Sequence, residues 1–258
     1  MVNYRAIRNF EEFAEIRVEF LRLYQEVFGR AFEPTTVDHL YGNSPCGSGS
    51  AATAWQGDRL VGFTGLVPGE MTSPKGPVRY GLSLNTMVDA EFRGAGVFMD
   101  LFDELKRLAD EIALEFLLGF PNRNAFLPAI QLAGFRLIDE ARFVVGNIEE
   151  AGYLDSLRKE TQKTFLSERM LKWRLSQFPY RVERGCVIKK YQGQENLLDI
   201  LNPEPDQRFH GVFPHWKSLG PCPLPTYDDY VVRLTCFPLK KSFCFDGLKR
   251  SLLFSDVY

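Results

Sequence analysis

The chain of 258 residues is predicted to form an α/β fold around a mixed β-sheet. Two observations lead to this prediction. Residues 82–112 read as a buried strand, a turn that contains glycines and an amphipathic helix in direct succession. Around this unit, apolar periodicity and turn residues give the order β-α-α-β-β-β-α-β-α-β through residue 148. Strands interleaved with helices in this way are typical of α/β proteins.

The strands and helices follow from local patterns along the chain. Predicted strands, which are short and rich in apolar or β-branched residues, cover residues 4–8, 51–56, 60–67, 78–88, 114–120 and 137–148. Predicted helices, with apolar residues at three- and four-residue spacing, begin near residues 11, 35, 97 and 122. Gly29 ends the first helix, Gly57-Asp58 forms a hairpin turn, and residues 67–77 are predicted to be irregular.

The second half of the chain has weaker patterns. A helix over residues 167–178 is ended by Pro179. A hairpin is predicted to follow, with strands over residues 182–191 and 197–201 and a turn at Gln192-Gly193. The order in this segment is a short helix, a proline, a strand, a glycine turn and a second strand, which loosely repeats the pattern of residues 35–67. The first half is therefore expected to have a reduced counterpart in the second.

The turn Arg93-Gly94-Ala95-Gly96 comes directly before a helix and has a possible chemical use. The first amides of a helix lack partners within it, and the helix dipole places partial positive charge there. Glycines let the backbone approach an anion closely, so this turn predicts a phosphate or pyrophosphate site. A Walker loop is excluded because no Gly-x4-Gly-Lys-Ser/Thr run exists. A dinucleotide fingerprint is excluded because Met99 stands where its third glycine belongs.

The run from Val88 to Gly96, Val-Asp-Ala-Glu-Phe-Arg-Gly-Ala-Gly, resembles the acyl-CoA signature of the GNAT N-acyltransferases, Val-x-Pro-x-Tyr-Arg/Gln-x-x-Gly-x-Gly/Ala. Ala90 replaces the usual proline, and Phe98 replaces the last glycine or alanine. Asparagines after strand 114–120 and a helix that finishes in Gly134-Phe135 extend the resemblance. It implies a GNAT fold with a degenerate GNAT-like second half, resembling the two-domain enzymes that acylate nucleotide-linked amino sugars.

The resemblance also implies a co-substrate and the residues that bind it. Coenzyme A, carried as acyl-CoA, would place its pyrophosphate on the loop amides and its pantetheine arm beside the preceding strand, and no metal is expected. The residues that the resemblance assigns to the coenzyme are Met87, Val88, Arg93, Gly94, Ala95, Gly96, Val97, Phe98, Asn122 and Asn124. A backbone amide near Met87 and Val88 would hold the thioester oxygen.

Proton transfer in N-acylation needs polar side chains near the same strand. Ser83 and Asn85 are candidates because alternate residues of a strand share a face, and Asp89 stands at the end of the strand. The family usually places a tyrosine four residues before the Gly-Phe pair, where this chain has Ile130. Three alternatives follow: either another residue protonates the thiolate, or the thiolate leaves without a proton donor, or the domain is inactive.

Composition limits the classes of partner. A formal net charge of −2 and the lack of a basic stripe argue against nucleic acid as a partner. No apolar run reaches membrane-spanning length and the start has no apolar core, so a cytoplasmic protein without a membrane partner is expected. Five widely spaced cysteines and three scattered histidines indicate neither a disulfide framework nor a zinc site.

The resulting hypothesis is an N-acyltransferase that moves an acetyl or short acyl group to the amine of a small molecule. The expected acceptor is a dTDP- or UDP-linked amino sugar of surface-polysaccharide biosynthesis, by analogy. A peptide, polyamine or antibiotic acceptor and a non-catalytic acyl-CoA-binding module are the alternatives. A catalytic domain is predicted over residues 1–150 and an acceptor-shaping domain over 151–258, in a monomer or homodimer. His215 and Trp216 are predicted to contact the acceptor, although a loop histidine and a core tryptophan are simpler readings.

Overall fold

The computed structural model describes residues 1–94, 96–148, 165–177, 180–191, 194–201, 208–219 and 221–240. Their strands are, in chain order, β1 Asn3–Ile7, β2 Ser50–Gln56, β3 Arg59–Ser73, β4 Gly76–Val88, β5 Phe116–Gly119, β6 Arg136–Asn147, β7 Phe165–Leu166, β8 Tyr180–Glu183, β9 Cys186–Tyr191, β10 Gln194–Ile200, β11 His210–Trp216 and β12 Thr226–Pro238. Their helices are α1 Phe10–Phe28, α2 Pro34–Gly42, α3 Val97–Glu111, α4 Arg123–Gln131 and α5 Glu168–Gln177. Single 3₁₀ turns lie at Ala90–Phe92 and Lys217–Leu219.

The described strands form one mixed sheet, in the order β1-β2-β3-β4-β5-β12-β6-β11-β10-β9-β8, with β7 beside β3. Neighbours are antiparallel except for two parallel pairs, β4 with β5 and β10 with β11. Each parallel pair follows two antiparallel hairpins along the chain, β2-β3-β4 in one half and β8-β9-β10 in the other. The sheet confirms the predicted mixed α/β fold, and its second half repeats part of the strand arrangement of the first.

The strand β12 joins the two halves. It lies between β5 and β6 and pairs antiparallel with both, with Thr235 opposite Gly119 of β5 and Val232 opposite Ala141 of β6. A strand from the end of the described chain therefore completes the sheet of the first half. The division at residue 150 stays a prediction, and the sheet is continuous across it.

Two apolar layers cover the sheet. One contains α1 and α2, whose buried Phe13, Phe20 and Tyr41 belong to a core cluster that also includes residues of β9 to β12. The other contains α3 and α4, which pack through residues such as Phe102 and Ala129. Gly29 ends α1 as predicted, with φ of 69° and its amide bonded to the Gln25 carbonyl at 2.9 Å. The first-half elements match their predicted positions because their apolar faces are strongly periodic.

Two sequence-based boundaries were wrong. Residues 67–77 are not irregular, because β3 runs on to Ser73 and pairs with the start of β4. The prolines and glycines there suggested a loop, but at Gly69 the missing side chain leaves room for the Tyr80 ring, 2.4 Å from where a Cβ would stand. The strand predicted over 182–191 is broken by Arg184 and Gly185, whose φ values of 48° and 78° fit a tight hairpin turn.

No helix in the described part of the chain is both long and apolar enough to cross a membrane.

Candidate functional site

The parallel strands β4 and β5 separate halfway along β4. Their ladder runs from the Tyr80–Phe116 pair to the Ser83–Gly119 pair and ends there. β4 continues to Val88, whereas β5 stops at Gly119. The β5-facing backbone groups of β4 beyond Ser83 are therefore not used by this ladder. They can bind a ligand that enters between the strands.

A β-bulge lies at the point of separation. Asn85 and Thr86 of β4 together face the single residue Thr64 of β3. Asn85 has φ of 52°, a left-handed conformation that asparagine tolerates better than most residues. Its Nδ2 donates to the Tyr41 hydroxyl at 3.1 Å, and the Thr64 and Thr86 hydroxyls are 2.8 Å apart. Bulges bend a strand and redirect its side chains, which suits a site built at this opening.

The glycine loop continues from β4 into α3. Gly94 and Gly96 both have φ of 82°, and a Cβ added to either would meet nothing within 4 Å. The Gly96 carbonyl accepts the amides of Met99 and Asp100 at 2.9 and 3.1 Å, so the helix begins directly after this glycine. Arg93 Nε donates to the Val88 carbonyl at 3.2 Å. The helix α3 therefore begins at a glycine-containing loop with open space beside both glycines, which suits an anion site at its first amides.

A cavity of about 780 Å³ extends from this opening to the helices on the α1 side. Its coenzyme end, as we name it, contains Ser83, Phe98, Gly119 and Asn122. Phe98 stacks obliquely on Phe102 at 4.8 Å between ring centroids, which makes this wall apolar. Thr235 of β12 closes the end of β5 by donating its hydroxyl to the Gly119 carbonyl at 3.0 Å.

The other end of the cavity, named here the acceptor end, combines aromatic and charged side chains. Tyr24 packs against Phe28 and Phe32, with ring centroids 4.6 and 4.5 Å apart. The charged residues among the described lining are Arg30, Glu33 and Lys189. Two cations and one carboxylate give this end a formal charge of +1. Tyr230 of β12 also lines the cavity.

The structure brings four of the predicted residues together. Ser83, Asn85, Phe98 and Asn122 all line the cavity. The Asn122 side chain also caps α4, since its Oδ1 accepts the amides of Asn124 and Ala125 at 3.0 Å each. The exposed Asn124 is not among the lining residues.

The remaining coenzyme candidates lie around the cavity rather than on its wall. Met87 and Val97 have side chains in the core, 1% exposed each, so only their backbone groups remain for binding. Val88, Arg93, Gly94 and Gly96 form the loop beyond the cavity mouth, and Ala95 lies outside the described residues. The open part of β4 in the cavity wall is Leu84 to Thr86, before the predicted Met87 and Val88.

Asp89 has structural partners in place of a catalytic setting. It is 6% exposed, its carboxylate is 2.6 Å from the Arg59 guanidinium, and it accepts the Glu91 amide at 3.0 Å. It thus caps the 3₁₀ turn and holds the β3 end of the hairpin. Asp89 does not line the cavity, and its catalytic role stays a prediction.

His215 and Trp216 lie on β11, in the interior of the sheet. They pair with Arg142 and Ala141 of β6, and they are 7% and 2% exposed. Trp216 belongs to the core cluster, and neither residue lines the cavity. This segment is a central strand rather than a loop, and contact of the two residues with the acceptor stays a prediction.

Several cavity residues escaped the sequence-based prediction. Ile130 packs in the apolar layer of α3 and α4. Among the described residues, the tyrosines that line the cavity are Tyr24 and Tyr230. Tyr230 and Lys189 come from strands more than 100 residues after β4, and no local pattern indicates their arrival. Arg30 and Glu33 follow α1 directly, where a charged pair reads as an ordinary exposed turn.

The described residues contain no group of three or more His, Cys, Asp or Glu that could hold a metal ion.

Comparison with known proteins identifies the fold. Residues 8–127 match the model of the acetyltransferase (GNAT) domain family. A probable N-acyltransferase of Enterococcus faecalis V583 superposes with a TM-score of 0.63 at 9% identity, covering 93% of this chain and 73% of its own. A GCN5-related N-acetyltransferase of Kribbella flavida superposes with a TM-score of 0.58 at 11% identity, covering 92% of this chain and 72% of its own. A GCN5-related N-acetyltransferase of Anabaena variabilis superposes with a TM-score of 0.58 at 7% identity, covering 92% of this chain and 73% of its own. No curated protein sequence matches the chain. The shared fold therefore includes both halves.

Proposed function

We propose that this chain, whose residues 8–127 match the acetyltransferase (GNAT) domain model, transfers an acetyl or short acyl group from acyl-CoA to the amine of a nucleotide-linked amino sugar. The dTDP- and UDP-linked amino sugars of surface-polysaccharide biosynthesis are the acceptors we propose. The single observation behind this proposal is one cavity that joins the β4–β5 opening to an aromatic, net cationic acceptor end. We place the activity in the cytoplasm, where acyl-CoA is available.

The residues at the coenzyme end suit coenzyme A. The glycine loop and the first amides of α3 offer donors and partial positive charge to the pyrophosphate. The gap between β4 and β5 offers unused backbone groups to the amide-bearing pantetheine arm, and Phe98 and Phe102 provide an apolar wall beside it. The acyl group would then lie near Leu84 to Thr86, at the junction with the acceptor end.

The reaction needs three contributions from the protein, namely stabilisation of the oxyanion, removal of a proton from the amine and protonation of the thiolate. The amine nitrogen attacks the thioester carbonyl, a C–N bond forms, and the C–S bond breaks with its electron pair leaving on sulfur. Amides of β4 at the bulge would stabilise the oxygen on which negative charge develops. Glu33, the carboxylate among the described lining residues, would orient the ammonium and take its proton. The thiolate would take a proton from Tyr230 or from water, since a thiol pKa of about 8.5 makes thiolate a tolerable leaving group.

The acceptor end favours an anionic acceptor that also presents an aromatic ring. Aromatic side chains such as Tyr24, Phe28 and Phe32 can stack on a nucleobase, and Arg30 and Lys189 can pair with a diphosphate. A polyamine or aminoglycoside carries several positive charges and would meet two cations there. A nucleotide-linked amino sugar has the complementary charge, with a single amine left for Glu33.

The test is thiol release from acetyl-CoA and 3-hydroxybutyryl-CoA against a panel of dTDP- and UDP-amino sugars. Polyamines, an aminoglycoside and a peptide serve as controls, and mass spectrometry identifies the acylated product. We expect turnover with at least one nucleotide-linked amino sugar and much lower kcat/KM with the polycations. Preferred turnover of a polycation or a peptide would overturn the acceptor class. If none of the acceptors in the panel causes thiol release, the proposed reaction is overturned.

A further inference from the structure

We infer that Tyr41 is a positioning residue for acyl transfer, because its hydroxyl holds the Asn85 bulge in the shape that directs the β4 backbone into the cavity. This inference rests on the proposed function. Tyr41 does not line the cavity and would not touch either substrate. It acts through Asn85, which lines the cavity while its side-chain amide donates to the Tyr41 hydroxyl at 3.1 Å.

Tyr41 is held rigidly by its own surroundings. Its side chain is fully buried at the end of α2. The ring stacks on Phe13 with centroids 4.4 Å apart and contacts Phe20 and Phe63 edge-on at 6.1 Å each. A ring packed on three sides has little freedom to rotate, so its hydroxyl is a fixed point.

The backbone of β3 is shaped to admit this hydroxyl. A Cβ at Gly65 would stand 2.2 Å from the Tyr41 hydroxyl oxygen, which is closer than any non-bonded contact allows. Gly65 pairs with Leu84, the residue directly before Asn85. The tyrosine therefore reaches across β3 to the bulge at the one place where β3 has no side chain in the way.

A second contact closes the bulge from the same strand pair. The Thr64 and Thr86 hydroxyls lie 2.8 Å apart. The bulge therefore carries two side-chain hydrogen bonds, one made by Asn85 and one by the next residue, Thr86, while the φ of Asn85 is 52°. An isolated residue would rarely keep this conformation, and tertiary contacts have to maintain it.

Loss of the Tyr41 hydroxyl should therefore lower kcat rather than weaken the binding of coenzyme A. Coenzyme A would be held largely through its pyrophosphate by the glycine loop, which begins eight residues after Asn85. The position of the β4 amides beside the acyl group depends on the bulge. Small displacements of such groups slow a reaction far more than they weaken binding.

The experiment compares Tyr41→Phe with Tyr80→Phe, which removes a buried hydroxyl from β4 at a distance from the bulge. For Tyr41→Phe we expect kcat to fall about tenfold or more, while the Kd of acetyl-CoA and the KM of the acceptor stay within about twofold. Amide hydrogen exchange at residues 84–87 should become faster. Tyr80→Phe should leave kcat and this exchange unchanged.

Substitution of Asn85 tests the contact itself. Asn85→Gly keeps the conformation but loses the contact, so it should match Tyr41→Phe, and the double variant should be no slower than either.

The outcomes separate the two claims. If the wild-type chain turns over and Tyr41→Phe keeps its kcat and its exchange rates, this inference is overturned while the proposed function stands. If additive losses appear in the double variant, the two residues act independently and the inference is again wrong. A wild-type chain that transfers no acyl group overturns the proposed function instead, and unchanged exchange at residues 84–87 in Tyr41→Phe still decides against the inference.

Discussion

Glu33 shows how a single side chain determines what the acceptor end can do. It stands at the start of α2, where its carbonyl accepts the amides of Thr36 and Val37 at 3.0 and 3.2 Å. Its side chain makes no capping bond and lines the cavity instead. A carboxylate on a wall that also carries Arg30 and Lys189 can bind a single amine and accept its proton.

Replacing Glu33 with glutamine should therefore lower kcat/KM by at least about tenfold, since a positioned base typically contributes more than that. The loss should shrink as the pH rises, because a larger fraction of the amine is then already neutral. Steady-state kinetics between pH 6 and 9 would measure both effects. Glu11→Gln, in the first turn of α1 and away from the cavity, is the matched control. Equal pH profiles for Glu33→Gln and the wild type would exclude Glu33 as the base.

Residues near each other in the sequence could be predicted, and those brought from afar could not. The glycine loop and the pair Ser83 and Asn85 were found from a strand pattern followed by a helix pattern. Lys189 and Tyr230 reach the cavity only through the order of strands in the sheet, which no local pattern encodes. The ion pair of Asp89 could not be predicted, because its partner, Arg59, lies 30 residues earlier on a neighbouring strand.

At the scale of elements, α5 docks against the first half through several contacts. β7 pairs with β3, and the Ser167 amide donates to the Glu70 carbonyl at 3.0 Å. Arg169 and Glu70 form an ion pair at 2.5 Å. In the buried part of the contact, the His39 ring of α2 stacks on Trp173 with centroids 4.5 Å apart.

This docking should weaken in acid. Burial, and then the positive charge of Arg174, lower the pKa of His39 to about 4 from an ordinary value of 6.5. The unfolded chain binds the proton more readily, so stability is complete above about pH 6.5 and falls as the pH drops toward 4. The loss from this group should be about 3 kcal/mol, at roughly 1.4 kcal/mol for each pKa unit.

Urea unfolding at pH 7 and pH 4.5 would measure the effect. His39→Phe keeps an aromatic ring against Trp173 and does not titrate, so its stability should fall less over this range. Carboxylates titrate equally in both proteins and cancel in the difference. A pH dependence of the same size in both proteins would show that His39 is not the group responsible.

Element positions were predictable wherever one face of the element is apolar and periodic. α1 and α3 show this clearly, with buried residues such as Phe13 and Leu101 at helical spacing. The β3–β4 hairpin extension was missed because its prolines and glycines have the composition of a loop. Pairing with a neighbouring strand and packing of the Tyr80 ring outweigh that local preference.

The whole molecule depends on where β12 lies. Without it, β5 and β6 would face a gap in the middle of the sheet, with unpaired backbone groups on both sides. Strand pairing between residues more than 80 positions apart could not be read from the sequence, since it depends on the assembly of all preceding strands. The repeated β-hairpins of the second half could be recognised, but not their connection to the first.

A fragment of residues 1–150 should therefore fold poorly alone. We expect it to aggregate or to show a much lower melting temperature than the full chain by circular dichroism. A peptide of residues 224–240, which includes β12, should bind the fragment and raise its melting temperature. A shuffled peptide of the same composition is the control. A monomeric fragment as stable as the full chain would show that the division at residue 150 separates independent domains.

The central claim for the molecule is that the glycine loop and the opening between β4 and β5 together bind coenzyme A. Gly94 and Gly57 both have positive φ, 82° and 60°, and a Cβ at either would meet nothing within 4 Å. Tryptophan at either position therefore imposes a similar backbone cost, about 1–2 kcal/mol. Only at Gly94 would the new ring occupy the proposed pyrophosphate site, because Gly57 lies outside the glycine loop, in the β2–β3 turn.

The most direct measurement is acetyl-CoA binding by isothermal calorimetry to the wild-type chain, Gly94→Trp and Gly57→Trp. We predict binding to the wild type and to Gly57→Trp with similar Kd, and a Kd at least about 100-fold weaker for Gly94→Trp, a loss of roughly 2.7 kcal/mol. Equal binding by all three proteins, or no binding by the wild-type chain, would contradict the placement of the coenzyme on this loop.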